Sequence, residues 1–303
     1  MSEVRPLSGR TLLTAVLGDP VEHSLSPAMH NAAYAALGLE RAYIAFHVTP
    51  ERLRDVLRAI PALGLLGVNL TVPHKERALR LMTHLSDEAR TLGAINCVAN
   101  RAGALYGDNT DARGLELDLR LLGVTLTDRV AIVVGAGGGA AAAVLACIRL
   151  GARRIVVCNR TVARANRLAR RFARYVAGRG GGRPREIIEA RGLDALLKPA
   201  LLADAALVVN ATPMGLKTGG FAPLAYDASS ATTVFYDMVY AREPTPFIHP
   251  ARALGRPAHD GAGMLLGQGE LAFELFNGVK PPPGVMRTAL YSALSRPLPT
   301  PSS

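Results

Sequence analysis

Apolar residues along the first third of the chain fall into short runs separated by turn residues. The run from Leu12 to Leu17 ends in Gly18-Asp19-Pro20, a pattern that predicts a strand followed by a turn. Pro27 precedes a helical stretch from Ala28 to Leu37 that Gly38 closes. The same patterns predict strands at 42–48 and 65–70, a helix at 51–60, and a hairpin of 94–100 and 104–106. This alternation favours a mainly parallel sheet with helices on both faces.

A second alternating pattern begins at Asp111. Its predicted elements are a helix at 111–122, strands at 130–134 and 154–158, a helix at 162–176, strands at 206–210 and 234–237, and two helices after Asp260. The segment from Gly178 to Arg185 is low in complexity and predicts a flexible surface loop. Pro297 to Ser303 is predicted to be a disordered tail.

The turn Gly135-Ala136-Gly137-Gly138 lies between a predicted strand and an alanine-rich helix. Glycines in this position let the backbone approach a pyrophosphate, and the helix N-terminus supplies amide donors. Glycine is also common in turns that bind no ligand. The residues at the end of the next predicted strand therefore decide between a dinucleotide-binding turn and a purely structural one. There the chain has Asn159-Arg160-Thr161 and Arg164 instead of a carboxylate. Guanidinium groups bind a 2′-phosphate, which predicts NADP; the alternative is a helix capped by Thr161 with solvated arginines.

These patterns predict an α/β protein of two domains. Residues 1–110 with 261–303 form an N-terminal α/β substrate-binding catalytic domain, and residues 111–260 form a Rossmann-type NADP-binding domain. The final helices have no sheet of their own, so we expect them to return to the first domain. An active-site cleft between the domains follows from this arrangement.

Composition narrows the possible partners. Hydrophobic residues make up 49% and charged residues 19% of the chain, which is typical of globular proteins. The net charge is +11, and the arginines concentrate between Arg153 and Arg191, where they alternate with Ala and Leu at helical spacing. Aromatic residues are only 5%, and Trp is absent. Because base stacking needs aromatic side chains, we predict a solvated basic surface and no nucleic-acid partner.

The N-terminal residues and the cysteines indicate a cytoplasmic protein. The first ten residues contain no apolar signal-peptide core, and the apolar stretch 130–150 is a strand, turn and helix, so no membrane segment is predicted. The cysteines Cys97, Cys147 and Cys158 lack metal-ligand spacing. We interpret them as reduced thiols and predict no metal site.

Candidate catalytic groups follow the predicted strands of the first domain. Ser24 and Ser26 stand at a helix start, where they either bind a carboxylate or cap the helix. Lys75 follows the strand that ends in Asn69-x-Thr71, and a lone lysine there is either catalytic or solvated. Gly107-Asp108-Asn109-Thr110-Asp111 brings two carboxylates to a helix start, where Asp is also a routine cap. Taken singly, each pattern leaves both interpretations open.

The order of these motifs resembles the shikimate dehydrogenase family from about Leu13 to Gly278. The motifs that carry the resemblance are Ser-x-Ser-Pro (24–27), Asn-x-Thr-Val-Pro-x-Lys (69–75), Gly-Ala-Ile-Asn (93–96), Gly-Asp-Asn-Thr-Asp (107–111), Gly-Ala-Gly-Gly (135–138), Asn-Arg-Thr (159–161), Asn-Ala-Thr-Pro-Met-Gly (210–215), Tyr-Asp-Met-Val-Tyr (236–240) and Asp-Gly-x-Gly-Met-Leu-x-x-Gln (260–268). Two positions depart from the family pattern: Ala141 replaces an arginine after the glycine loop, and Ala112 replaces a glycine after Asn-Thr-Asp.

The resemblance implies an NADP-dependent oxidoreductase that reduces 3-dehydroshikimate to shikimate in the biosynthesis of chorismate and aromatic amino acids. It implies Lys75 and Asp111 as the catalytic pair, with Asp108 structural. The implied substrate-binding residues are Ser24, Ser26, Thr71, Asn96, Tyr240 and Gln268. The implied cofactor-binding residues are Gly135, Ala136, Gly137, Gly138, Asn159, Arg160, Thr161, Arg164, Thr212, Met238 and Gly261. The family also implies a monomer or a homodimer.

Two other functions fit parts of the pattern. One is an NAD-dependent quinate/shikimate or aminoshikimate dehydrogenase of the same superfamily, against which Arg160 and Arg164 argue. The other is a non-catalytic NADP sensor or RNA-associated basic protein, against which the presence of both Lys75 and Asp111 argues.

Overall fold

The computed structural model describes residues 7–178, 187–215 and 220–299. Their strands are β1 (Leu12–Gly18), β2 (Arg41–His47), β3 (Gly67–Leu70), β4 (His84–Leu85), β5 (Cys97–Arg101), β6 (Ala104–Asp108), β7 (Val130–Val134), β8 (Arg154–Cys158), β9 (Ile187–Arg191), β10 (Ala205–Asn210), β11 (Val234–Asp237) and β12 (Ala258–His259). Their α-helices are α1 (Ser26–Ala36), α2 (Leu53–Ala62), α3 (Lys75–Ala78), α4 (Asp87–Leu92), α5 (Asp111–Leu121), α6 (Gly138–Arg149), α7 (Val162–Gly178), α8 (Pro199–Ala203), α9 (Ile248–Ala253), α10 (Ala262–Asn277) and α11 (Val285–Ala293).

These elements form two compact units. The first comprises the residues up to Asp111 together with those from Leu266 onward, and the second comprises Ala112–Leu265. Each unit contains one six-stranded sheet. The predicted α/β class with two sheets is therefore confirmed.

The sheet of the first unit has the strand order β2-β1-β3-β5-β6-β4. Strands β2, β1 and β3 pair in parallel, as do β4 and β6, whereas β5 pairs antiparallel with both β3 and β6. Of these antiparallel pairs, β5 and β6 form the predicted hairpin, whose turn at Ala102 and Gly103 has positive φ angles. A mainly parallel sheet was predicted, and three of its five strand pairings are parallel.

An apolar layer packs one face of this sheet. Because alternate residues of a strand face the same side, Ala15 and Leu17 of β1 share a buried cluster with Leu53, Leu57 and Ile60 of the amphipathic helix α2. The apolar spacing along α2 therefore determines which of its faces lies on the sheet.

An aromatic cluster formed by His30, Tyr34, Tyr43 and Phe273 packs in the same unit. The His30 ring stacks on Tyr43 with 4.1 Å between centroids, and its ring nitrogens have no hydrogen-bond partner in the described residues. Since His30 is only 1% exposed, burial lowers its pKa from 6.5 to about 3. The imidazole is therefore neutral in the folded protein and behaves as an apolar ring.

The sheet of the second unit is entirely parallel, with the order β12-β11-β10-β7-β8-β9. Strand β7 is the continuous apolar run Val130–Val134, and every residue in it is buried. It lies between β8 and β10, so helices cover both faces of a strand that has no polar side, as parallel sheets require.

Several predicted elements match the structure closely, and others were missed. The predicted bounds of β7 and β8 agree with the structure, and the predicted first helix at 28–37 is α1 at Ser26–Ala36. The short strands β4, β9 and β12 and the short helices α3, α4, α8 and α9 were not predicted, because too few residues in each carry a periodic pattern. The loop predicted at 178–185 lies, apart from Gly178 at the end of α7, outside the described residues. So do residues 300–303 of the predicted tail.

We expect His30 to make stability depend on pH. The unfolded chain takes up a proton near pH 6.5 and the folded chain only near pH 3, so stability contributed by the neutral ring is complete above pH 6.5 and is lost as the pH falls toward 3. Between pH 7.5 and pH 5 this loss amounts to about 2 kcal/mol. His30→Phe keeps the aromatic stack and should reduce the pH-dependent loss by that amount, measured as the free energy of unfolding in urea.

Tyr34→Phe provides the control, because it alters the same cluster without removing a group that titrates in this pH range. It should retain the wild-type difference between pH 7.5 and pH 5. An unchanged pH dependence in His30→Phe would contradict the assignment of a buried neutral imidazole.

Candidate active site and dinucleotide site

A lysine and an aspartate meet in the first unit. The Lys75 Nζ donates to Asp111 Oδ2 at 2.6 Å, and the Asp111 side chain is 6% exposed while that of Lys75 is 27% exposed. A carboxylate that is almost fully buried and an ammonium that is partly open to solvent form an ion pair with one accessible end. Such a pair holds a mobile proton and stabilises negative charge that develops on a bound oxygen.

The second oxygen of the carboxylate is held by Asn96. The Asn96 Nδ2 donates to Asp111 Oδ1 at 2.8 Å, and Asn96 Oδ1 accepts from the Thr110 backbone amide at 2.8 Å. Gln268 joins this group, since its Oε1 accepts from Asn96 Nδ2 at 3.4 Å and its backbone oxygen accepts from Thr110 Oγ1 at 3.1 Å. The structure thus brings four of the predicted site residues, Lys75, Asp111, Asn96 and Gln268, into one network.

Two chain segments present the ion pair. Strand β3 ends at Leu70, a turn closes when the His74 amide donates to the Thr71 carbonyl at 2.9 Å, and α3 begins at Lys75. Helix α5 begins at Asp111, where the positive end of the helix dipole stabilises a carboxylate. Each charged group is therefore the first residue of a helix that follows a strand.

Asn109 is a positioning residue to which the sequence analysis assigned no role. Its Oδ1 accepts from the Asp111 amide at 2.9 Å, and its Nδ2 donates to the Ala94 carbonyl at 2.9 Å. The preceding Asp108 accepts from the Asn109 amide at 2.7 Å and from the Ser86 hydroxyl, which agrees with the structural role expected for it. The only sequence signal for Asn109 was its place inside the Gly-Asp-Asn-Thr-Asp motif.

The two serines do not cap the helix that they precede. Leu25 occupies the cap position of α1 and makes no side-chain cap bond, while Ser24 Oγ accepts from the Ser26 amide at 3.4 Å. Ser26 is buried and Ser24 is half-buried. The capping alternative is therefore wrong, and Thr71, also half-buried, lies one residue beyond β3.

In the second unit, the glycine-rich turn has the backbone geometry of a phosphate-binding loop. Gly135 has a φ of +123°, and a Cβ there would lie 3.0 Å from the Ala211 carbonyl oxygen. Gly137 faces open space and precedes α6 without a side-chain cap, so the first amides of α6 remain available to an anion. Ala136 lies between these glycines in the same turn.

The position of this turn in the sheet identifies the kind of ligand. The chain builds the sheet outward from β7 through β8 to β9, and then returns to the other side of β7 to add β10, β11 and β12. The order reverses between β7 and β10, directly below the glycine turn. Open α/β sheets bind dinucleotides at this switch point, beyond the carboxyl ends of the strands.

The end of the next strand carries the predicted arginines. Arg160, Thr161 and Arg164 are exposed, and the Arg164 amide donates to the Thr161 carbonyl at 2.9 Å in the first turn of α7. Asn159 supports this turn by donating from Nδ2 to the Thr161 carbonyl at 3.0 Å. Within the described residues neither guanidinium has an ion-pair partner, so both are available for an external anion.

A buried hydrogen-bond network holds Thr212, another of the predicted cofactor residues. Asn210 Oδ1 accepts from the amide and hydroxyl of Thr212 at 3.0 and 2.7 Å, and Asn210 Nδ2 donates to Asp237 Oδ1 at 2.9 Å. Burial raises the Asp237 pKa to about 6, although hydrogen bonds from Thr245, Val239 and Asn210 oppose this shift. Asp237 was missed by the sequence analysis because a strand-end aspartate carries no distinctive pattern.

Met238 and Gly261, two further predicted cofactor residues, pack against each other at the ends of these strands. A Cβ on Gly261 would lie 2.3 Å from the Met238 carbonyl oxygen, so only glycine fits there. The Met238 amide donates to the Asn210 carbonyl at 2.9 Å, which joins the ends of β10 and β11. Tyr240, a predicted substrate residue, is half-buried and belongs to the second unit.

Metal-binding and membrane-spanning features are absent from residues 7–178, 187–215 and 220–299. In those ranges no group of three or more His, Cys, Asp or Glu side chains is arranged to hold a metal ion. No described helix combines the length and apolar character needed to cross a membrane.

Three family models match successive parts of the chain. The shikimate dehydrogenase substrate-binding domain matches residues 16–98, the shikimate/quinate 5-dehydrogenase model matches 116–178, and the shikimate 5′-dehydrogenase C-terminal domain matches 261–291. These segments contain Lys75, the glycine turn and Gln268. The matches therefore fall in both units, although the motif that contains Asp111 lies between the first two matched ranges.

Full-length relatives extend the comparison. The NADP(+) shikimate dehydrogenase of Geobacter sp. (strain M21) is 40% identical over 292 residues, which are 96% of this chain and 98% of that protein. The shikimate 5-dehydrogenase of Thermus thermophilus, solved with NADP(H) and shikimate, is 37% identical with a TM-score of 0.80, covering 93% of this chain and 100% of that one. The quinate dehydrogenase of Corynebacterium glutamicum, solved with NAD, is 30% identical with a TM-score of 0.82, covering 93% and 99%. With full-length identity of about 40% to such enzymes, the chain belongs to the NADP-dependent shikimate dehydrogenase family.

Proposed function

We propose that this protein catalyses the reversible reduction of 3-dehydroshikimate to shikimate with NADPH. The observation that carries the proposal is the buried Asp111 carboxylate, bound on one oxygen by Lys75 and on the other by Asn96. Reduction of a ketone requires a proton at the carbonyl oxygen as well as a hydride at the carbon. The ion pair supplies the proton chemistry, and the rest of the reaction depends on holding the ketone beside it.

Lys75 and Asp111 act as one proton-transfer unit. With the reacting oxygen at the accessible Lys75 Nζ, the ammonium stabilises the negative charge that forms as the ketone is reduced. Asp111 keeps this ammonium oriented and shares its proton. Because the Lys75 Nζ and the Asp111 Oδ2 lie 2.6 Å apart, we assign the proton transfer to the pair rather than to one residue.

We assign substrate recognition mainly to the first unit. In this proposal the carboxylate ligands are Ser24, Ser26 and Tyr240. Thr71, Asn96 and Gln268 bind the ring hydroxyls. Hydroxyl and amide groups suit this task, because each donates or accepts a directional hydrogen bond and none adds a charge that would compete with the ion pair.

The second unit fits a dinucleotide with a 2′-phosphate. The open Gly137 and the uncapped N-terminus of α6 suit a pyrophosphate, and the exposed Arg160, Thr161 and Arg164 suit the 2′-phosphate. Thr212, Met238 and Gly261 complete the proposed cofactor set. When bound, NADPH supplies the hydride.

The remaining assignments concern the protein as a whole. We propose that residues 1–110 with 261–303 form the catalytic substrate domain and residues 111–260 the NADP domain, in a monomer or a homodimer. We also propose a cytoplasmic enzyme, since Cys97, Cys147 and Cys158 are buried as thiols. Burial raises the pKa of Cys147 and Cys158 to about 12, which keeps both thiols unreactive.

Initial rates test the function directly. The purified protein is assayed with shikimate and with quinate, each with NADP and with NAD. We expect turnover largely confined to shikimate with NADP. Comparable rates with quinate or NAD would instead indicate an enzyme of the broader quinate/shikimate type, and no turnover with any pair would reject the proposal.

Replacing Lys75 should abolish most of the turnover. We expect Lys75→Ala to lower kcat by about 10²- to 10⁴-fold, the usual contribution of acid–base catalysis, with a much smaller change in KM for shikimate. Lys280→Ala, which removes an exposed lysine elsewhere in the same unit, is the control. Near-normal kcat with a raised KM in Lys75→Ala would make Lys75 a binding residue only.

Removing the two arginines should weaken the preference for NADP. We expect the double variant Arg160→Ala/Arg164→Ala to lower kcat/KM for NADP by roughly tenfold or more, because charge-assisted hydrogen bonds are lost, and to leave kcat/KM for NAD almost unchanged. Arg174→Ala, an exposed arginine farther along α7, is the matched control. The same NADP-to-NAD ratio in the double variant and the wild type would show that the 2′-phosphate binds elsewhere.

A further inference from the structure

A buried phenol lies behind the active-site network of the first unit. The Tyr43 hydroxyl donates to Asn69 Oδ1 at 2.8 Å, and these residues are 1% and 6% exposed. Neither residue belongs to the catalytic and binding set described above. Asn69 nevertheless begins the segment that leads through Thr71 to Lys75.

The hydrogen bond to Tyr43 determines which way the Asn69 amide points. With its oxygen facing the phenol, Asn69 turns Nδ2 toward the Asn96 carbonyl and the Cys97 Sγ, each at 3.1 Å. The side chain of the same Asn96 donates to Asp111 Oδ1. Buried hydrogen bonds therefore link Tyr43 to Asn69 and Asn69 to the Asn96 backbone, and the Asn96 side chain in turn contacts the ion pair.

The Tyr43 side chain is itself held rigidly. Its ring stacks on His30, and its backbone amide and carbonyl both bond to the Asn31 side chain at 2.8 and 2.9 Å. The Ser26 hydroxyl is a further polar neighbour of the phenol. Tyr43 thus connects the serine that starts α1 with Asn69, near the end of β3.

We propose that Tyr43 is a positioning residue for the reaction, which sets the orientation of Asn69 and, through Asn96, the geometry of shikimate recognition beside Asp111. The inference rests on the proposed function. Its physical basis is that the two ends of an amide have nearly the same shape, so only the hydrogen-bond partners select its orientation. Without the phenol, the Asn69 oxygen is buried with no donor and the amide no longer has one preferred orientation.

Tyr43→Phe tests the proposal, because it removes one hydroxyl and keeps the stacked ring. We expect KM for shikimate to rise by roughly tenfold, as for loss of a buried hydrogen bond, while KM for NADP stays within about twofold of the wild-type value. Tyr34→Phe is the matched control. Tyr34 is equally buried and its hydroxyl bonds to Thr14 at 2.8 Å, in the same aromatic cluster but away from Asn69.

A merely structural role predicts a different result. In that case Tyr43→Phe and Tyr34→Phe would lower Tm to similar extents and share the same kinetic constants. Equal kinetics in the two variants, or a parallel rise of both KM values in Tyr43→Phe, would overturn the proposal.

A double-mutant cycle tests whether Asn69 transmits the effect of Tyr43 to the substrate site. If Tyr43 acts through Asn69, Tyr43→Phe should have little further effect on KM for shikimate in the Asn69→Ala background; full additivity would overturn the proposal.

Wild-type turnover is measured in the same assay. Its absence would reject the proposed function itself, whereas normal wild-type turnover with additive variants rejects only the role of Tyr43.

Discussion

The buried carboxylate of Asp111 is the constraint on which the first unit depends. A carboxylate removed from water is costly unless its charge is paired and its oxygens are hydrogen-bonded. Lys75 satisfies one oxygen and Asn96 the other, while Asn109 holds the Asp111 backbone. The ends of β3 and β6 must therefore lie beside the start of β5, and the antiparallel pairing of β5 with both strands brings them there.

The second unit meets a different constraint, because its proposed ligand must approach the backbone itself. Polar side chains are few at the glycine turn, and the free amides of α6 provide the binding groups. Close packing keeps the surrounding segments in place: Gly135 faces the Ala211 carbonyl, Gly261 faces that of Met238, and the Asn210–Asp237 network joins two strand ends. The proposed function therefore assigns substrate recognition to side chains and pyrophosphate binding to main-chain amides.

Much of this molecule was predictable from local patterns. The buried strands at 130–134 and 154–158 have the same bounds in the sequence and in the structure, because continuous apolar runs between turn residues leave few alternatives. The resemblance of ordered motifs to one family led to Lys75, Asp111, Asn96 and Gln268, and the structure places these four in one network. Ser24 and Ser26 show the limit of local patterns, since either capping or ligand binding suits such residues, and only the observed cap at Leu25 rejects the first.

The sequence by itself therefore determined the α/β class, most strands and helices, and the motifs that bear the chemistry. Tertiary structure alone decided which polar groups meet. Asn109 against Ala94, Tyr43 against Asn69, and Asp237 between Asn210 and Thr245 join residues whose partners depend on how separate segments are brought together. Local propensity depends on a few neighbouring residues, whereas these hydrogen bonds form only after distant strands pair and exclude water.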